Sequence, residues 1–393
     1  MYGPHAYPTT PAALLYVCPR YGGYGPSMDL SFLKKLYQRP GPFASVYADL
    51  TRTTEDASKA VELRWRALRA DLEAQHAPKG MLRAIEQTID EEMSARRSEG
   101  LVIFAADGEV VYADRLPGPP RSPRASLAPL PDVLPYLTER GERFPHLVAV
   151  VDRRGGAIDC VTAEGKHQHI DVQGDEEYPI RKTKAGDWNQ SRFQRSSEMV
   201  WKLNAKKVAH EIDRAADRCG AEAILIAGDT RARTAVLDEV SEHVLEHTVE
   251  TDKNTTMDDP DLNEELQRIL RLKTTERVLS VAERFDRELA TGQRAVSGLA
   301  ATTEAVRQGQ VETLLLEEET NPEDRLWIGP EPGQIATTPD ELRDEFGVTN
   351  PQRERADAAL VRATTATDGE LVVLPPNGTD GHLHVGAVLR YIA

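Results

Sequence analysis

The chain has 393 residues, of which 40% are hydrophobic and 28% charged, and its formal net charge is −16. That length exceeds one ordinary core and calls for several domains, with the composition of a water-soluble globular protein. It holds no run of about 18 apolar residues to span a bilayer, and no basic-then-apolar leader, so a cytoplasmic protein is expected.

Residues 1–28, rich in Tyr, Gly and Pro and without period, read as a disordered tail. An N-terminal domain over 29–130 follows. Its predicted elements are a strand from Phe43 to Leu50 and helices over about Thr54–Gln75 and Pro78–Arg97. Leu101–Ala106 and Val110–Asp114 then bracket an Asp107-Gly108 turn, a hairpin signal. The stretch Leu116–Pro131 carries six prolines and reads as a linker that resists regular structure.

A middle domain is expected over 131–250. Three short strands, Leu147–Asp152, Ala157–Ala163 and His169–Val172, precede a polar loop from Gln173 to Arg192. Loops of that length are commonly functional or disordered. A helix with an apolar stripe at Trp201, Ala205, Val208, Ile212, Ala215 and Cys219 comes next, with Trp201 expected in the core. A buried strand at Ala223–Ala227 and a helix at Arg233–Glu246 close the domain.

The third domain, 251–393, opens on a linker at 251–258 and a long helix from Asp259 or Asp261 to about Ala290. A helix at Leu299–Gln308, a strand at Val311–Leu316, and helices at Pro339–Phe346 and Arg353–Thr364 follow. A strand at Glu370–Leu374 and an element at Val385–Tyr391 end it. The fold class implied is a mixed α/β chain of three domains.

Charge is unevenly placed. Residues 181–207 carry eight basic and two acidic side chains, a net +6, which leaves −22 for the rest. Residues 251–393 hold 15 basic and 27 acidic residues, a net −12. An RNA-facing element within an otherwise acidic molecule fits this asymmetry; a chance cluster on an exposed helix is the alternative. Cys18, Cys160 and Cys219 are far apart and form no CxxC pair, which argues for reduced thiols and against a disulfide framework or zinc finger. His167/His169 and His382/His384 each put two imidazoles on one strand face but lack supporting ligands, so no metal is expected. No phosphate-binding glycine motif occurs, and no cofactor is expected.

Gln190-Ser191-Arg192-Phe193 and, further on, Lys207-Val208-Ala209-His210-Glu211 resemble the loop and following helix of the class-one peptide release factor and Pelota superfamily. Weaker support comes from Leu147–Gly155 and from Gly309–Leu316. The pattern is most similar to the bacterial members, which include the ribosome hibernation factor Balon and its actinobacterial relatives. The resemblance implies a three-domain fold. Its N-terminal domain would reach the decoding centre and its middle-domain loop the peptidyl-transferase centre of the 70S ribosome. Its C-terminal domain would contact a translational GTPase, with elongation factor Tu the expected partner.

The chain departs from the release pattern at the critical point. Release factors carry two glycines before the catalytic glutamine, where the backbone must take conformations open to Gly. Here Trp188 and Asn189 stand there, after Asp187 and before Gln190. No catalytic residue is therefore expected, and the loop reads as an RNA-binding tip. Trp188 would stack on a base, Asn189 and Gln190 would bond base edges, and Lys182, Lys184, Arg192, Arg195 and Lys202 would meet phosphates. Inward packing of Trp188 is the competing arrangement. The functional expectation is a factor that occupies the A site and idles ribosomes under stress. Two alternatives stay open: a rescue hydrolase or tRNA-cleaving factor using Gln190, and a protein-interaction module with no ribosomal role.

Overall fold

A computed structural model describes residues 28–393 except 53–56, 96–98, 117, 141–143, 163–164, 175–186, 252–254, 319–320, 322, 375–383 and 392–393. For 57–58, 187–198 and 250 it describes the backbone alone. The chain is mixed α/β and divides into two compact units, one made of Met1–Gly141 with Val278–Ala393, the other of Glu142–Arg277.

The first unit begins with strand β1 (Met28–Asp29) and a short helix α1 (Lys34–Tyr37), then β2 (Phe43–Asp49), α2 (Ala57–Ala74) and α3 (Lys79–Ala95). Strands β3 (Gly100–Ala106), β4 (Glu109–Leu116) and β5 (Arg124–Ala128) complete an antiparallel sheet of order β4-β3-β2-β5. The Asp107-Gly108 turn joins β3 to β4 with both residues at positive φ, 51° and 80°, as a two-residue hairpin of this hand requires. Alternation in β2 and β3 sorts the core by face. Ala44, Val46, Leu101 and Ile103 pack on Val61, Leu68, Leu72, Met81 and Ile85 of the two helices. Tyr47 and Phe104, on the opposite face, pack with Tyr136 and Leu137 of helix α4 (Leu134–Arg140).

Two expectations change here. The proline-rich stretch holds β5, because Pro123 and Pro129 flank the strand rather than interrupt it, and an edge strand tolerates them. Met28, placed in the tail, is buried and pairs with Leu371; residues 1–27 lie outside the described ones.

The second unit contains β6 (His146–Val151), β7 (Gly155–Val161), β8 (His167–Gln173), α5 (Asp187–Cys219), β9 (Ala223–Gly228), α6 (Thr230–Leu237), α7 (Glu242–His247) and β10 (Thr248–Glu250). The sheet order is β10-β9-β6-β7-β8. Strands β10, β9 and β6 run parallel, whereas β6, β7 and β8 pair antiparallel. The stripe on α5 covers one sheet face, with Ala205, Val208, Ile212 and Ala215 against Leu147, Ala149, Ile158 and Ile226. Instead of one helix at 233–246 there are two, because Asp229 caps α6 and Ser241 accepts from the Val244 N–H to start α7.

Helix α8 (Pro260–Thr291) follows. Its Leu262 and Ile269 cover Val148 and Leu225 on the other face of the second unit's sheet. From Val278 onward the helix belongs to the first unit, where Phe285 packs on Leu315 and Val372. The remaining elements are β11 (Ala295–Ser297), α9 (Leu299–Arg307), β12 (Val311–Glu317), β13 (Arg325–Ile328), β14 (Ile335–Ala336), α10 (Pro339–Phe346), β15 (Gln352–Arg355), α11 (Ala356–Ala366), β16 (Glu370–Leu374) and β17 (Val385–Leu389). They build a sheet of order β1-β16-β12-β17-β11 and a small one of order β14-β13-β15.

These units differ from the expected boundaries at 130 and 250. Residues 131–140 join the first unit because Tyr47 Oη donates to the Asp132 carbonyl (2.6 Å) and accepts from the Tyr136 N–H (3.0 Å). The first turns of α8 join the second unit through the apolar contacts just given.

Candidate functional site

The parallel strands β6 and β9 end side by side, with Val151 opposite Gly228. Each is followed by an aspartate. Asp152 Oδ1 accepts from the N–H groups of Arg154 (2.7 Å) and Gly155 (2.9 Å), which closes the turn into β7. Asp229 Oδ1 accepts from Arg231 (3.0 Å) and Ala232 (3.1 Å) at the start of α6. The Ala232 N–H, then the Arg153 guanidinium, hold the Asp229 carboxyl below its ordinary range. Gly228 sits at φ 111°, where a Cβ would meet the Val151 carbonyl oxygen at 2.1 Å, so the approach of the two strand ends requires glycine.

Arg153 joins this edge to α5. Its guanidinium lies 3.6 Å from Asp229 Oδ2 and 4.5 Å from the centroid of the Trp201 ring. One turn on, buried Asn204 donates from Nδ2 to the Arg153 carbonyl at 3.0 Å. Trp201 is thus half-buried under a cation rather than sealed in the core, because the stripe reaches the end of the sheet there. Sequence reasoning missed Arg153 and Asn204. The readable signal for the second was a lone amide inside an apolar helical face.

The outward side of α5 is basic and apolar together. Met199, Lys202, Leu203, Lys206 and His210 are exposed at helical spacing, with Met199 at 73% and Leu203 at 50%. Helix α5 starts at Asp187, so Trp188, Asn189, Gln190, Arg192 and Arg195 occupy its first turns, not the expected loop. Neither Gly nor Pro interrupts the 33 residues from Asp187 to Cys219, which lets the helix extend upstream. The side chains of those five residues, and Lys182 and Lys184 altogether, lie outside the described ones. Of the expected RNA-binding set, Lys202 is placed with its side chain, and it is exposed.

Three of the four paired histidines are described, and each lies near a carboxylate. His169 Nδ1 is 2.5 Å and His167 Nε2 3.6 Å from Asp159 Oδ1, and the bond to Asp159 raises the His169 pKa. His384 Nδ1 lies 2.6 Å from Glu317 Oε2, while His382 falls outside the described residues. Strand β7 and α5 also bring Cys160 and Cys219 together in the core, and burial pushes the Cys219 thiol up to about 12.

Residues 145–291 match the family model for bacterial archaeo-eukaryotic release factor family 2. The matched stretch runs from β6 through α8. Two uncharacterized proteins of Mycobacterium tuberculosis, from strains CDC 1551 / Oshkosh and ATCC 25618 / H37Rv, are each 28% identical over 372 residues. The alignment covers 92% of this chain and 96% of each relative. Among solved structures, Archaeoglobus fulgidus Pelota has 13% identity and a TM-score of 0.33, with 93% of each chain covered. A model of ribosome-bound archaeal Pelota has 16% identity and a TM-score of 0.38, covering 94% of this chain and 96% of that one. An archaeal translation termination factor has 13% identity and a TM-score of 0.26, covering 92% and 96%. Among the described residues, no helix is long and apolar enough to cross a membrane.

Proposed function

We propose that the chain is a ribosome-associated translation factor that occupies the A site and holds ribosomes idle without releasing peptide. The observation that carries this reading is the pair Trp188-Asn189 inside a stretch of release-factor type, where release factors carry two glycines. Two residues with bulky side chains there, in place of glycines, speak against the close backbone approach that ester hydrolysis needs. The residues around it are still suited to RNA. Basic side chains along 181–207 supply phosphate contacts, and Lys202 and Lys206 stand exposed on α5.

The acidic stretch 251–393, at −12, suits a protein partner better than RNA, and elongation factor Tu is the partner this reading expects. A second reading, a rescue hydrolase, is favoured by Gln190 at the catalytic glutamine's place.

Two experiments decide between them. Gradient sedimentation of lysates from stationary-phase cells should carry the protein with 70S particles at low salt. A protein that stays at the top of the gradient refutes ribosome association. Purified protein added to ribosomes loaded with peptidyl-tRNA should release no peptide. Release that is abolished by Gln190→Ala replaces the idling role with the hydrolase.

A further inference from the structure

Helix α7 carries His243, Glu246 and His247, whose ligand-type atoms all lie within 4.8 Å of one another. Positions i, i+3 and i+4 put three side chains on one face of a helix. Buried Val244 anchors the helix to the second unit's core, which leaves His243 and Glu246 exposed and His247 half-buried. The two imidazole rings stand 4.6 Å apart, centroid to centroid, at 58°.

The chemistry of His247 is set by its backbone contact. Its Nδ1 lies 2.9 Å from the His243 carbonyl oxygen. A carbonyl can only accept, so Nδ1 is the donor, and in the neutral ring Nε2 is the nitrogen that carries the lone pair. Metal-binding histidines are held in this way, one ring nitrogen on a carbonyl and the other on the ion. Two nitrogens sharing a tetrahedral zinc ion at about 2.0–2.1 Å sit roughly 3.4 Å apart. The ligand-type atoms, all within 4.8 Å of one another, stand near that spacing.

We propose that His243, Glu246 and His247 form a site for a divalent transition-metal ion. Two imidazoles and one carboxylate select zinc over magnesium or calcium, which prefer all-oxygen ligands. Three protein ligands leave the fourth position to water. The ion ties together one turn between the Ser241 cap and β10, and it stabilises the unit by mass action. The site lies outside the basic stretch 181–207 and does not depend on a ribosomal role.

Titration calorimetry of the full chain with zinc chloride tests this. One saturable site of micromolar or tighter affinity is expected. It should be lost in His243→Gln and in His247→Gln, weakened in Glu246→Gln, and kept in the double variant His167→Gln/His169→Gln. Circular dichroism checks that each variant is folded. Long-range 1H–15N spectra of the unsubstituted protein supply a readout free of that concern, because zinc should shift the Nε2 resonances of His243 and His247. Absence of saturable binding, binding that survives His243→Gln/His247→Gln, or ring shifts confined to other histidines overturns the site. An unchanged affinity in Glu246→Gln overturns the three-ligand assignment.

Discussion

The Arg153 guanidinium covers the Trp201 ring at 4.5 Å, and the same residue's carbonyl accepts from Asn204 one helical turn away. The turn after β6 is thereby fastened to α5 at two points. A double-mutant cycle of Arg153→Ala with Trp201→Ala should return a coupling of about 0.5–2 kcal/mol, the range for a cation over an aromatic face. Denaturant melts of the four proteins measure it, and additive losses would mean the stacking contributes nothing.

The junction of β6 and β9 tolerates no side chain at Gly228. Gly228→Ala forces a Cβ to 2.1 Å from the Val151 carbonyl oxygen at a φ of 111°. It should destabilise the chain by ~3 kcal/mol or more, from strain and strand separation together. Gly220, also at positive φ but with nothing within 4 Å of a Cβ, is the control. Gly220→Ala should cost about 1 kcal/mol, the strain of left-handed backbone alone. Equal losses at the two sites would contradict the steric explanation.

His146 gives the second unit a defined pH response. Burial lowers its pKa, against the opposing hydrogen bond from Nδ1 to the Phe144 carbonyl at 2.7 Å. Above a pH of about 6.5 the imidazole is neutral whether folded or unfolded. As pH falls below that value the unfolded chain takes up a proton that the folded chain resists, so stability is lost toward acid. His169 acts in the opposite sense, because Asp159 raises its pKa and its contribution fades as pH rises. Melting temperatures of His146→Gln and the parent across pH 5–8 should converge toward acid, the parent losing more. Parallel curves would mean that His146 contributes nothing to the pH response.

The ribosome reading separates charge from stacking. Changing exposed Lys202 and Lys206 to Gln should flatten the slope of log affinity against log salt, by about 0.7–0.9 for each phosphate that loses its cation. Trp188→Ala removes no charge. It should weaken binding by about 1–3 kcal/mol and leave that slope unchanged if the indole stacks on a base. A fall in melting temperature on Trp188→Ala would instead show the ring packed against its own unit.

Local signals carried most of the fold into the sequence. The Asp107-Gly108 pair specifies its hairpin by backbone conformation alone, and the stripe Ala205, Val208, Ile212, Ala215 specifies how α5 lies on its sheet. Long-range pairings carried no such signal. Met28 against Leu371 joins strands from opposite ends of the chain, and no periodicity announces the small sheet of β13, β14 and β15. The candidate site was legible as a charge excess and a motif, yet its geometry was not. Arg153 reads as an ordinary surface cation until the fold sets it over Trp201 and beside Asp229. The triplet His243, Glu246 and His247 escapes a reading of histidine pairs on strands, where alternate residues share a face. On a helix the meaningful interval is three or four residues.

The pairing of β1 with β16 also fixes an order of events during synthesis. Residues 28–141 and 278–393 make one unit, and the second unit is encoded between them. As the polypeptide emerges, residues 142–277 can close their core while Leu371, the strand partner of Met28, is still untranslated. The part of the first unit's core that residues 278–393 supply stays open until that stretch of chain arrives. Premature termination shortly before β16 would therefore leave an intact second unit beside an open, aggregation-prone first one, exposed to proteases and chaperones.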